Sequence, residues 1–282
     1  MDYRAERSYL QSFYLINRRT TMQMNINGLQ IHVSERPGRG PALVFLHYWG
    51  GSARTWEGVI AALPAHYRAI APDLRGWGAS AAPIDDAYAL ADFADDVQKM
   101  IAALALPGYV LIGHSMGGKI AQLIASKRPA GLAGLVLVAP SPPTPLQLPP
   151  PARAAMQGAY DSRESVLGSI AHMLTAKALS EAQVEQVVAD SLRGAPAAKL
   201  AWPRRTSAED IGADVAAIAV PTLVIAGELD KVDPPAVLQA ELLSRVAQAT
   251  MRVLPGTGHL SPLESPNEVA DLIAEFVAQL GA

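Results

Sequence analysis

The chain has 282 residues, half of them hydrophobic, a formal net charge of −3 and no cysteine. That length suits one large α/β domain or a core with an insert, and the absent cysteines exclude disulfides and thiolate chemistry. The mild acidity argues against a nucleic-acid surface, and no apolar run marks a membrane span or a secretory leader, so a cytoplasmic protein without membrane or nucleic-acid partners is expected.

Residues 1–22 carry scattered charges and aromatics without periodicity and are expected to be an extension outside the core. Residues 24–26 and 29–33 flank Asn27-Gly28, a dipeptide suited to the tight turn of a hairpin. The continuous apolar run 42–46 fits a central strand covered on both faces. His47-Tyr48-Trp49-Gly50-Gly51 follows it directly. A helix is expected over 55–63, a strand over 67–72, then the glycine-punctuated turn Asp73-Leu74-Arg75-Gly76-Trp77-Gly78-Ala79-Ser80. Residues 90–104 have the helical period, with Asp95 and Asp96 read as part of its solvated face.

Residues 109–112 form a short apolar strand that runs into Gly113-His114-Ser115-Met116-Gly117, and a helix-forming stretch follows until Pro129. Strand, sharp turn and helix is the context that gives G-x-S-x-G chemical meaning. The glycines allow the backbone to reverse, and the serine stands at a helix N-terminus that favours developing negative charge. A further strand covers 135–139. The alternation of strands and helices implies a mostly parallel sheet with helices on both faces.

The pattern breaks at Pro140-Ser141-Pro142-Pro143-Thr144-Pro145 and at Pro149-Pro150-Pro151, which are expected to form neither helix nor central strand. Residues 152–203 look helical, and Ser180 with Gln183 has the form of a capping box. The expected organisation is therefore an extension (1–22), a first core part (23–140), a helical cap (141–205) and a second core part (206–282). Strands are expected over 222–226 and 250–254, helices over 236–246 and 267–280.

A serine hydroxyl needs a base to take its proton, and the base needs an acid to fix its tautomer. Such groups belong at the carboxyl ends of strands in an α/β sheet. Ser115 fits as nucleophile, His259 as general base and Asp230 as the orienting acid, with Asp233 and Glu228 as rivals for the acid. His47 and His114 flank turns and are expected to bond to backbone, while His32, His66 and His172 are read as packing or surface residues. The oxyanion donors expected are the backbone N–H groups of Met116 and Trp49. Tyr48, Tyr160, Met173 and Trp202 are candidate pocket residues.

On Gly113-His114-Ser115-Met116-Gly117-Gly118, Asp73 to Ser80, Gly227-Glu228-Leu229-Asp230 and Gly256-Thr257-Gly258-His259, the chain resembles α/β-hydrolase-fold serine hydrolases, the esterase, lipase, C–C hydrolase and haloperoxidase-like group. The resemblance runs from about Met24 to the C-terminus and implies neither a metal nor an organic cofactor. Tyr48 stands where that family usually has glycine, so it is read either as narrowing the acyl side of the site or as packing under the cap. The activity expected is a serine carboxylesterase acting on a small to medium apolar ester. A C–C bond hydrolase, for which Arg204 and Arg205 would hold a substrate carboxylate, a lactonase or perhydrolase, and a silent binding protein are the alternatives. The oligomeric state is left open.

Overall fold

The computed structural model describes residues 19–281; most of the expected N-terminal extension therefore lies outside the described residues. Eight strands form one sheet: β1 (Thr20–Ile26), β2 (Leu29–Arg36), β3 (Ala42–Leu46), β4 (Arg68–Pro72), β5 (Tyr109–His114), β6 (Leu132–Val138), β7 (Thr222–Gly227) and β8 (Ala249–Leu254). Their order is β1-β2-β4-β3-β5-β6-β7-β8. β1 and β2 pair antiparallel around the Asn27-Gly28 turn and β2 pairs antiparallel with β4, whereas all pairings from β4 to β8 are parallel. β1 begins at Thr20, inside the segment expected as extension. Met22, Met24 and Ile26 alternate with polar residues and are its less exposed positions, so period 2 reaches further back than the hairpin turn alone indicates.

Alternate residues of the central strands feed two cores. Val44, Leu46, Leu111 and Val224 face one side, against α2 (Leu90–Ala103) and α3 (Met116–Ser126). Leu43, Phe45, Val110, Ile112 and Ile225 face the other, against α1 (Glu57–Ala62) and the closing helix Pro266–Leu280. With both faces covered, these strands need apolar side chains at every position.

Between β6 and β7 the chain leaves the sheet and forms α4 (Pro150–Gln157), α5 (Arg163–Ser169), α6 (Glu181–Arg193) and α7 (Pro196–Arg204). Contrary to expectation, Pro150 and Pro151 belong to a helix. They occupy its first turn, where the missing N–H has no intrahelical partner to lose. α6 begins with the expected capping box: Gln183 N–H donates to Ser180 Oγ (3.3 Å), and Ser180 N–H donates to Gln183 Oε1 (2.9 Å). After β7 come the short helix α8 (Pro235–Leu238), β8, α9 (Ser261–Glu264) and α10 (Pro266–Leu280).

Asp96 corrects the sequence expectation. It is buried, and both carboxylate oxygens accept from Arg75, Nε and Nη2 each at 2.7 Å. The pair ties the Asp73–Ser80 turn to α2. Among the described residues no helix is long and apolar enough to cross a membrane.

Candidate active site

Ser115 sits between the last residue of β5 and the first of α3 with φ 53° and ψ −115°. A non-glycine residue pays about 1–3 kcal/mol for such a conformation. The surroundings impose it. A Cβ on Gly113 would come 2.3 Å from Gly117 O, and one on Gly117 would come 2.5 Å from Leu46 O, so only glycines let the elbow close.

His259 lies in the loop after β8. Its Nε2 accepts from Ser115 Oγ at 2.9 Å, and its Nδ1–H donates to Asp230 Oδ2 at 2.8 Å. Asp230 lies three residues past β7; its other oxygen, Oδ1, accepts from the N–H groups of Val232 (2.8 Å) and Asp233 (3.0 Å). The turn therefore locks the carboxylate before it meets the imidazole. Asp233, its rival in the sequence, makes no bond to His259, and Glu228 instead accepts from Gly256 N–H.

The charges of this line support one another. Burial pushes His259 downward, but the Asp230 carboxylate, by charge and hydrogen bond, outweighs it with help from Glu264, and the imidazole is held above its ordinary value. Burial likewise pushes Asp230 upward, and the imidazolium together with the two backbone donors brings it below the usual carboxylate range. The His259 loop is fixed from outside. Glu264 Oε2 accepts from Gly258, Ala176 and Lys177 N–H at 3.0, 2.8 and 2.8 Å, which stitches this loop to the segment after α5.

His47 and His114 take the backbone roles expected. His114 Nε2–H donates to the His259 carbonyl (2.8 Å), and burial pushes its pKa down to about 3, so it stays neutral. His47 Nε2 accepts from Leu74 N–H (2.9 Å), which leaves Nδ1–H to donate to Tyr48 O (2.7 Å). Burial lowers the pKa of His47 too, which this tautomer requires. Gly51 N–H also donates to Tyr48 O, at 3.0 Å. With that carbonyl held from one side, the trans peptide turns Trp49 N–H to the opposite side. Met116 N–H opens α3, where no intrahelical acceptor exists.

The loop after β3 bonds to the inserted helices through Trp49 and Gly50. Trp49 Nε1–H donates to Lys199 O of α7 (3.1 Å), and its ring stacks on Tyr160 with centroids 4.1 Å apart. Tyr160 Oη–H donates back to Trp49 O (2.8 Å), and Ser191 Oγ–H to Gly50 O (3.1 Å). Tyr48 is buried, and burial raises its phenol well above the usual tyrosine value. The loop after β3 is thus clamped to the inserted helices.

A cavity of about 320 Å³ opens in front of Ser115 and His259. Tyr48, Tyr160, Met173 and Trp202 all line it, together with apolar residues such as Leu146 and Leu174. Arg204 and Arg205 do not. Arg204 bonds to Gln157 and Arg205 to the Asp86 carbonyl, both on the exposed side, because the end of α7 turns them away. Sequence reasoning missed Lys119, which is fully buried in α3 and donates to Thr144 O (3.0 Å) and Ser207 O (3.4 Å), where the insertion leaves and rejoins the core. Burial lowers its pKa to about 8. It also missed the exposure of Asp233 to the cavity. Among the described residues no group of three or more His, Asp or Glu side chains is placed to hold a metal ion.

A mostly parallel sheet of this order, with a serine on the elbow after β5, defines the α/β-hydrolase fold. The chain belongs to the alpha/beta hydrolase family, whose model matches residues 43–272. It is 33% identical over 262 residues to the Variovorax paradoxus protein named "Putative carbamate hydrolase RutD", covering 87% of this chain and 95% of that one. A shorter match, 39% identical over 108 residues, joins 38% of this chain to 41% of the pimeloyl-[acyl-carrier protein] methyl ester esterase of Aeromonas hydrophila. Among solved structures, the esterase EaEST from Exiguobacterium antarcticum superposes with a TM-score of 0.82 at 24% identity, covering 92% of this chain and 99% of that one; this likeness is one of fold.

Proposed function

We propose that this hydrolase-family protein is a serine carboxylesterase for small to medium apolar esters. The observation that carries the reading is the unbroken line Ser115–His259–Asp230, bonded at 2.9 and 2.8 Å, facing an apolar cavity. Ser115 Oγ attacks the ester carbonyl carbon as His259 Nε2 takes its proton. The N–H groups of Trp49 and Met116 receive the oxyanion. The C–O bond then breaks, the alcohol leaves with the proton from His259, and the acyl group remains on Ser115. Water, deprotonated by His259, attacks the acyl carbon and releases the acid. Asp230 holds the imidazole in the tautomer that both steps need. The inserted helices act as a cap, and Tyr160, Met173 and Trp202 set the size of the group admitted.

Carbamate hydrolysis is the second reading, favoured by the name of the 33% identical relative. Turnover of p-nitrophenyl acetate, butyrate and octanoate beside a p-nitrophenyl carbamate separates the two. Ester turnover falling with acyl length supports the esterase. Turnover of the carbamate alone transfers the same chemistry to a C–N-bearing carbonyl.

A further inference from the structure

The cavity contains an acidic side chain that the chemistry above does not use. Asp233 is only 2% exposed and lines the cavity with Ser115 and His259. Its backbone N–H serves Asp230, but its carboxyl group makes no hydrogen bond to any described residue. Buried carboxyl groups are normally paired, because desolvation without a partner is costly. The charges near it are committed elsewhere. His259 is bonded to Asp230, and Lys119 Nζ to the Thr144 and Ser207 carbonyls. Lys231, on the rim of the cavity, donates its Nζ to His172 O at 3.0 Å. Ser141, 3% exposed and also in the lining, leaves its Oγ without a protein partner among the described residues. The remaining walls, Leu146, Leu148, Leu174, Val232 and Trp202, are fit for an alkyl chain.

We propose that Asp233 is a specificity anchor for a protonated amine, so that the substrates preferred by this pocket carry an ammonium group on an otherwise apolar chain. The missing partner of the carboxylate is then supplied by the ligand, and an ion pair formed in an apolar site is stronger than one in water. Burial, opposed in part by His259 and Lys119 and reinforced by Asp230, pushes the Asp233 carboxyl up to about 8. The empty pocket therefore holds a proton on Asp233 near neutrality. Binding an alkylammonium ion exchanges that proton for the cation: the carboxyl O–H bond breaks, the proton passes to solvent, and the carboxylate pairs with the ammonium. Affinity for the cation rises with pH up to the range where Asp233 is ionised without help.

The anchor deepens the esterase reading, but its test does not depend on turnover. Wild type and Asp233→Asn are titrated calorimetrically with n-hexylammonium and with 1-hexanol at pH 6.5, 7.5 and 8.5. The cation is expected to bind about tenfold more tightly than the alcohol at pH 8.5. The preference should shrink toward pH 6.5, release a proton at pH 7.5 and disappear in Asp233→Asn. Equal affinities at every pH, or a preference that survives in Asp233→Asn, would overturn the proposal, as would tighter binding of the alcohol. Melting curves check that the variant is folded; if it is not, the wild-type pH series decides alone. Ammonium preference in a protein that turns over no p-nitrophenyl ester would refute the esterase reading and leave the anchor standing.

Discussion

Replacing Asp230 by asparagine tests the proposed catalytic line in a way the local geometry makes specific. Two backbone donors, Val232 and Asp233 N–H, converge on Oδ1 at 2.8 and 3.0 Å. An asparagine in this turn keeps its oxygen there, since an NH2 group would face two N–H donors. Its NH2 must then occupy the place of Oδ2, 2.8 Å from His259 Nδ1. A donor at that place forces Nδ1 to accept, so the ring proton moves to Nε2 and faces Ser115 Oγ. The imidazole can no longer take the hydroxyl proton. Loss of the required tautomer in a serine triad lowers kcat on the order of 10⁴-fold, equivalent to about 5 kcal/mol of transition-state stabilisation. The assay is kcat/KM for p-nitrophenyl acetate across pH 6 to 10. The base form of His259 is the active one, so wild-type kcat/KM should rise with pH, with a midpoint above the ordinary histidine value, because Asp230 holds the imidazole up against burial. In Asp230→Asn the raising charge is gone, burial prevails, and the midpoint of the residual activity should move to lower pH. A folded Asp230→Asn enzyme within tenfold of wild type, or one with an unmoved midpoint, would refute the argument.

Other perturbations test the supports of the site. Tyr160→Phe removes the donor to Trp49 O and should cost about 1–3 kcal/mol, read as a lower melting temperature; an unchanged melt would show the clamp to be idle. Arg75→Met leaves the buried Asp96 carboxylate without a counter-charge, with Asn27 Nδ2–H still donating to it, and should cost about 3–5 kcal/mol in denaturant unfolding, most of it recovered by adding Asp96→Leu. If the double variant is no better than the single one, the loss is not that of an unpaired charge. Tyr48→Gly opens the wall next to Ser115 and should raise octanoate turnover relative to acetate; an unchanged ratio would confine Tyr48 to packing.

Much of this architecture was legible in the residues. Buried parallel strands announce themselves as unbroken apolar runs, and the elbow is visible because only glycines permit the approaches at Gly113 and Gly117. The choice of Asp230 over Asp233 rested on position in the turn alone. Both lie in the same turn, and what separates them is which carboxylate the turn's own N–H groups hold toward His259. Asp96 and Lys119 were hidden for another reason. Charge made Asp96 read as solvated and left Lys119 unremarked, yet Asp96 falls three residues after Phe93 and one before Val97, on the buried face of α2. Lys119 lies between the buried Met116 and Ile120 in α3. Helical position was the available signal, and it outranked side-chain polarity because each charge finds partners: a guanidinium for Asp96, two carbonyls for Lys119. The clamp between Tyr160, Trp49 and Lys199 joins residues more than a hundred positions apart, and no local pattern encodes it.

The most direct test of the central claim is reaction with a fluorophosphonate probe, followed by peptide mapping, on wild type beside Ser115→Ala and His259→Ala. A single adduct on Ser115 is expected, absent from both variants, with ester turnover falling in both by about 10³-fold or more. Labelling at another residue, or ester turnover that survives in Ser115→Ala, would contradict the claim.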